Sequence, residues 1–364
     1  MGLLRTSLLV VLSCAVMSVQ AAKLNAKLES FTAHKTLSKF EKNPEDLKFE
    51  RLDVYKLTLQ HGGCGGDSTW NDCVSDRQRI ELKSSQEALK TFNNGYKKRY
   101  YRFNLYIPSE REFPDLMPMK QMIHQVKLPG KNNPIWKVHF VNGMLTVQTD
   151  AKDQCEIDSK FVPRQEWLEI EIFANYDITY SHEEPSFYYA INGAIHCKLF
   201  SPLITKRALR DAKKAKMFVK YGIYNTFASK WLLSQSENRE WIKKNNITFS
   251  SYQQDSEGQS NGAVSSQLGT PFDYDWPVKL PTQTIYFTEW EVADSRTKLS
   301  KSRFEQRDVS ETNAPKAPST MDFSASTSEI CGRAIAEWNS APGEWAKAAE
   351  SRGLSAESCK LFLK

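Results

Sequence analysis

The 364-residue chain is poor in long apolar runs: after the stretch from Leu8 to Val16 none reaches membrane-spanning length, which for a helix is about 20 residues. It also lacks a glycine-rich phosphate loop, a nucleophile motif of the Ser/His/Asp kind and the paired-cysteine spacing of zinc sites. Nucleotide chemistry, serine-type hydrolysis and structural zinc therefore have no residues to rest on. Stretches with helical periodicity are few, which argues against a helix bundle. Histidine is scarce, at six residues; His34, His139, His182 and His196 belong to no motif and read as structural. Charge of one sign is not in large excess either. The formal net charge of +6 is mild for this length, and it permits an acidic ligand without demanding one.

What is there is a globular composition, 40% apolar and 25% charged, in a chain long enough for one large domain plus an appendage. Met1 to Ser7 carries one charge, Arg5, and the apolar run that follows leads to Val19-Gln20-Ala21, a small-x-small cleavage site. Residues 1–21 are expected to be a secretory signal, and losing Arg5 with it takes the formal charge from +6 to +5. Of the seven cysteines, Cys14 leaves with the signal and an even number remains. Disulfides are expected, and nearness in sequence suggests Cys64 with Cys73, Cys155 with Cys197 and Cys331 with Cys359. The mature chain is expected to be secreted or periplasmic, away from the membrane, and monomeric. For an exported protein the usual polyanion is an acidic polysaccharide rather than nucleic acid.

Short strands with period-2 alternation recur along the chain. Tyr101, Phe103, Leu105 and Ile107 mark the core side of one, before Pro108-Ser109 ends it. Asn142-Gly143 and Asn192-Gly193 each sit between two such runs, the strongest short-range hairpin signal. The expected fold is all-β, a concanavalin-like jelly-roll sandwich of two antiparallel sheets with a short helical C-terminal tail. The sandwich is expected to occupy residues 22–297, and a linker with a disulfide-stapled helical tail residues 298–364. Ser295 to Ser319 reads as polar linker, and after Trp231 the strand pattern fades.

Three strands carry polar faces. In Arg77 to Leu82 the alternation puts Arg79 and Glu81 on one side, over Ile80 and Leu82 on the other. In Met122 to Lys127 it puts Ile123, Gln125 and Lys127 together, with His124 and Val126 opposite. In Val219 to Asn225 it puts Lys220, Gly222 and Tyr224 together, with Tyr221, Ile223 and Asn225 opposite. The glycine between a cation and a phenol lets something approach that strand closely. His61 adjoins a glycine-rich loop that a Cys64–Cys73 bridge would clip.

Arg79-Ile80-Glu81-Leu82, the Gln125 strand and Lys220 to Asn225, in that order, resemble the three strand motifs of jelly-roll polysaccharide lyases, a group that includes alginate, glucuronan and type I heparin lyases. The strand ending Ile107-Pro108-Ser109 is similar to the heparin-lyase-like branch. The resemblance spans Phe49 to Ser295. It implies β-elimination on a uronic-acid polysaccharide without a required cofactor, a structural calcium ion being left open. Arg79 and Gln125 suit neutralising the uronate carboxylate so that the developing enolate is stabilised. Tyr224 matches the family's acid, and Lys220 is placed to favour or orient its phenol. Glu81, Lys127 and Asn225 are the expected substrate contacts.

Many members carry Gln-x-His where this chain has Gln125-Val126-Lys127. The base is therefore expected to be His61 or Tyr224, with Lys127 binding carboxylate. Two other classes remain open at this point. A glycoside hydrolase needs paired carboxylates, and Glu169 and Glu171 share a strand face. A non-catalytic binder of acidic glycans needs only the basic face.

Overall fold

The side chains that alternate along Tyr101, Phe103, Leu105 and Ile107 lie against the inner face of a second sheet, none more than 1% exposed. They do so in a computed structural model of the chain, which describes residues 21–24, 26–28, 37–66, 71–84, 98–128, 134–177, 184–204, 217–247, 253–254, 260–261, 270–304 and 307–308. The expected signal, most of the basic stretch around 205–216, and the tail with Cys331 and Cys359 lie outside these residues.

One sheet has seven strands in the order β10 (Gln154–Ile157), β9 (Met144–Thr149), β8 (Trp136–Val141), β7 (Lys120–Lys127), β14 (Phe218–Thr226), β5 (Arg77–Ser84) and β2 (Ala26–Leu28). The other runs β19 (Arg307–Asp308), β13 (Ala194–Leu199), β12 (Phe187–Ile191), β11 (Trp167–Asn175), β6 (Lys98–Tyr106), β17 (Gln283–Thr288), β4 (Val54–Leu59) and β3 (Ser38–Lys42). At its side β1 (Ala22–Lys23) pairs with β18 (Glu291–Ala293), and β18 with β6. Two-residue strands β15 (Gln253–Gln254) and β16 (Ser260–Asn261) pair only with each other. The ladders are antiparallel apart from β13 with β19. The fold is the expected two-sheet β-sandwich of jelly-roll type.

Apolar side chains of both sheets meet between them: Ile80, Val126, Val138, Tyr221 and Ile223 from one, Phe103, Ile170, Ile172 and Phe287 from the other. Each such side chain contributes roughly 1.5–3 kcal/mol by leaving water. Trp290 stacks on Phe103 at 3.8 Å between ring centroids, and Tyr221 lies at 5.2 Å from Trp290. Buried polar tips are paired where they can be, as where the Trp136 indole donates to Tyr176 Oη at 2.8 Å. Both Asn-Gly turns close their hairpins with positive φ at both residues, 54° and 72° for Asn142-Gly143 and 49° and 76° for Asn192-Gly193, as the right-handed strand twist requires.

Two segments take forms that the alternation does not show. Where the strand pattern fades after Trp231, the chain forms α1 (Ala228–Ser234) and α2 (Ser236–Lys244). The start of α1 is held from a distance: the Asp76 carboxylate accepts from Ser229 N at 2.8 Å and Ser229 Oγ at 2.5 Å. Its Ala228 and Leu232 pack with Met119, Tyr274 and Trp276 in a second small core. The stretch read as linker from Ser295 is, as far as residue 304, fastened to the outer face of the larger sheet. There Arg296 pairs with Glu171, and Ser302 and Arg303 bond Glu169.

Candidate functional site

The outer face of the seven-stranded sheet collects the polar residues the alternation separated from the core. Tyr224 stands directly opposite Arg79, Gly222 opposite Glu81, and Lys220 opposite both Lys83 and Gln125. Residues opposite one another share a face, so Arg79, Glu81, Gln125, Lys220 and Tyr224 lie on one face. Lys220, expected to orient the Tyr224 phenol, stands four residues along β14 beside Glu81, and Arg79 takes the place against the phenol. Lys220 and Gln125 are 4% and 1% exposed and form the floor.

Glu81 is the hub. It accepts from Gln125 Nε2 at 2.7 Å and from Arg79 Nη1 at 3.3 Å, and it lies 3.6 Å from Lys220 Nζ. To reach Gln125 on β7 from β5 its side chain crosses β14 at Gly222, the position without a side chain. A Cβ on Gly222 would meet the Ile80 carbonyl oxygen at 2.2 Å, and φ there is 147°. The close approach that the glycine announces is therefore made by the neighbouring strand. Burial alone would push the Glu81 carboxyl up, but Lys220 and Arg79 with the Gln125 bond hold it below the usual range.

Asp72 completes the cluster and was not foreseen. Its carboxylate takes Arg79 Nε and, at 2.5 Å, Arg79 Nη2, a two-point bond of the strong kind. Asp72 sits in the loop clipped by the Cys64–Cys73 disulfide, next to Cys73, and Gly63 O accepts from Arg79 N at 3.1 Å. The cysteine spacing was the signal that the loop had something to hold. The Arg79 guanidinium lies over the Tyr224 ring, 4.2 Å from its centroid. Burial raises the Tyr224 phenol, and Arg79 and Arg77 offset this only in part, so it stays protonated at neutral pH.

Three expected residues stand elsewhere. Asn225 is fully buried on the core side of β14, opposite Gln78 and Gln121, and does not face Tyr224. His61 receives the Leu280 N–H on Nδ1 at 3.3 Å, and its ring lies 5.7 Å from that of Phe272. Burial and Lys279 lower it to about 4. Among the described residues no contact joins it to the cluster. Lys127 shares the sheet face but stands opposite Phe218, six residues along β14 from Tyr224, roughly 20 Å at strand rise.

The residue opposite Tyr224 on β7 is Met122, and beyond Met122 on β8 comes His139. A register shift between Met122 and His124 puts both on this face, whereas Ile123, expected beside Gln125, joins the core with Val126. His124 also lies in the core, against Phe103, Tyr189 and Trp290. His139 is 3% exposed, and burial together with Lys137 and Lys120 holds it well below the ordinary histidine value. A neutral imidazole and a protonated phenol thus flank one row of the sheet, two strands apart, about 10 Å by strand spacing.

No family model and no curated sequence matches the chain. Among solved structures, the binding domain of botulinum neurotoxin DC in complex with rat synaptotagmin II aligns over 75% of this chain and 44% of its own, at 10% identity and a TM-score of 0.38. This chain spans less than half of that one. The alginate lyase AlgAT5 of polysaccharide lyase family 7 aligns over 71% of this chain and 94% of its own, at 10% identity and a TM-score of 0.34. Alginate lyase vAL-1 from Chlorella virus aligns over 74% and 92%, also at 10% identity and 0.34. At TM-scores this low, none of these likenesses assigns a role to a residue.

Proposed function

We propose that the chain is a secreted polysaccharide lyase whose sandwich, residues 22–297, binds a uronic-acid-containing anionic polysaccharide on this face and cleaves it by β-elimination. The observation that carries the reading is the meeting of a protonated phenol, Tyr224, with a buried Arg79–Glu81–Lys220–Gln125 cluster on a sheet face lined by further cations. The fixed dipoles and charges of such a cluster stabilise an enolate without reorganising. A base removes the C5 proton, the released electron pair forms the C4–C5 double bond, and the C4–O4 bond breaks. Tyr224 gives its proton to the departing oxygen. His139, neutral and on the same row, is the described histidine placed to act as base. Lys127 remains a carboxylate contact further along the chain of sugars.

The test is incubation with glucuronan, alginate and heparin-type glycans while following the ultraviolet absorbance of the unsaturated product. Rising absorbance supports elimination. Reducing ends released without it would indicate hydrolysis and overturn the reading.

Hydrolysis has little structural support. Glu169 and Glu171 lie on the outer face of the other sheet, and Glu171 accepts from Arg102, from Arg296 at 2.7 Å and from Tyr188 Oη at 2.8 Å. Burial would raise its carboxyl, but these bonds win and hold it low, the reverse of what a general acid needs. Binding without cleavage has one observation in its favour. Arg79 and Gln125 already donate to Asp72 and Glu81, so the groups expected to neutralise a substrate carboxylate are engaged within the protein. Tight binding of these glycans with no absorbance change would select that reading.

A further inference from the structure

One layer of the sandwich interior is built from amides. Next to it the core is apolar: Ile80 stands opposite Ile223, and Ile285 opposite Leu57. Two residues along the strands, Asn225 on β14 stands between Gln78 on β5 and Gln121 on β7. From the larger sheet Gln283 on β17 reaches the same layer, its Oε1 accepting from Gln121 Nε2 at 2.9 Å. All four amides are 0% exposed. They lie at the seam between two apolar clusters, with Ile80, Ile223 and Ile285 in one and Leu116, Ala228 and Leu280 in the other.

Gln121 is fully engaged. Its Nε2 also donates to Pro114 O at 3.0 Å, and its Oε1 accepts from Leu116 N at 3.3 Å. These bonds fix which way both glutamines point, so Gln283 gives its oxygen to Gln121 and keeps its nitrogen for another partner. Among the described residues that nitrogen has none, and neither do the two polar atoms of Gln78 or the two of Asn225. Buried polar groups are almost always hydrogen-bonded. Each bond left unmade costs the full desolvation of its group, in a fold that is only marginally stable. Five such atoms in one layer call for a partner from outside the chain.

What faces that partner sets its chemistry. Three of the five atoms are amide nitrogens, whose hydrogens repel a cation, and two are carbonyl oxygens, which repel an anion. No charged side chain belongs to the layer. The ligand is therefore neutral, donates as well as accepts, and is small enough for a place sealed from solvent. We infer that this layer is an internal hydration site in which ordered water molecules bridge Gln78, Asn225 and Gln283. A buried water makes about three hydrogen bonds, so about two molecules serve the five atoms. Asn225, expected to touch substrate, thus acts from behind the strand that carries Tyr224. The inference stands apart from what the outer face binds.

The experiment is a high-resolution crystal structure of the full chain, joined to water-oxygen magnetic relaxation dispersion in solution. About two water peaks are expected within hydrogen-bond reach of the Asn225 and Gln78 amides, at least one of them shared. The number of long-lived internal waters should fall by about two in the chain carrying Gln78→Met with Asn225→Leu. Asn225→Leu alone should lower the melting temperature, because it displaces shared water and strands the other amides. In a dry layer the same change removes unpaired atoms and raises it. If that variant fails to fold, the wild-type structure decides. Direct pairing of Gln78 with Asn225 and no density between them, a peak bound by oxygens only, an unchanged water count, or a higher melting temperature in Asn225→Leu would each overturn the inference.

Discussion

Two arginine–carboxylate clusters lie on the outer faces of the two sheets, and they differ in what surrounds them. On the larger sheet Arg102 bonds Glu171 and the Ser300 carbonyl, and lies 3.9 Å from Glu169. Arg296, Ser302 and Arg303 come down over both acids from the segment after β18. On the smaller sheet Arg79, Glu81, Lys220 and Asp72 form an equally buried set whose formal charges cancel; here the Asp72 loop lies against Arg79, and the surrounding face carries Lys83, Lys120, Lys127 and Lys137. The same residue types thus make a clasp in one place and the buried floor of a lysine-lined trough in the other. Burial of charge does not separate the two; the charge of the face around them does.

The largest effects should come from removing the carboxylate at the centre of each cluster. Glu171→Gln and Glu81→Gln both leave buried cations without their counter-charge, which costs about 3–5 kcal/mol, read as a fall in the denaturant midpoint. The two should part company in function. The folded fraction of Glu171→Gln should bind and cleave as wild type does, whereas Glu81→Gln loses its hold on Gln125 and Lys220 and should lose both. If Glu81→Gln kept full activity, the trough would be no more than a second clasp.

The tyrosines of the two clusters sharpen the contrast at a smaller scale. Tyr224→Phe should lower turnover by at least about 10² with no change in melting temperature, equivalent to about 2.7 kcal/mol of transition-state stabilisation. Tyr188→Phe, which removes the hydroxyl donating to Glu171 at 2.8 Å, should do the opposite: stability falls by about 1–3 kcal/mol and turnover stays. Near-normal turnover in Tyr224→Phe would take the phenol out of the mechanism.

The open cluster was largely legible in the sequence because it is built from alternation. Arg79 with Glu81 and Lys220 with Tyr224 share faces for the reason any residues two or four apart on a strand do, and the two Asn-Gly turns kept the hairpins in register. Illegible were the features that depend on one irregularity or on distant contacts. The register shift at Ile123 changes the parity of β7, so that Met122, and not Gln121, stands opposite Tyr224, with His139 beyond it. Asp72 reaches Arg79 because a disulfide folds its loop back. The helix at Ala228 starts where Asp76 receives it, 153 residues away in sequence, and no local cap announces it. The clasp was hidden for the same reason, since Glu169 and Glu171 look alike with or without a strap over them.

The smallest of these effects concerns two histidines on adjacent strands, one on each side of the sheet. His124 is sealed in the core with no hydrogen-bond partner for either ring nitrogen among the described residues, and burial lowers it to about 3. His139 lies on the trough side and is likewise held low. For both, the unfolded chain binds the proton first, so stability is complete above the unfolded value of about 6.5 and falls as the pH drops towards the folded value. At pH 5, still well above the folded value of His124, the loss from that residue is about 2 kcal/mol. His124→Phe should therefore flatten the acid limb of a melting-temperature profile between pH 6.5 and 5 while leaving the pH dependence of cleavage alone. His139→Gln should flatten the same limb and also abolish or reshape the acid side of the rate profile, because its imidazole stands on the row of Tyr224. Should His139→Gln leave the rate profile untouched, the base must be sought in Tyr224 itself.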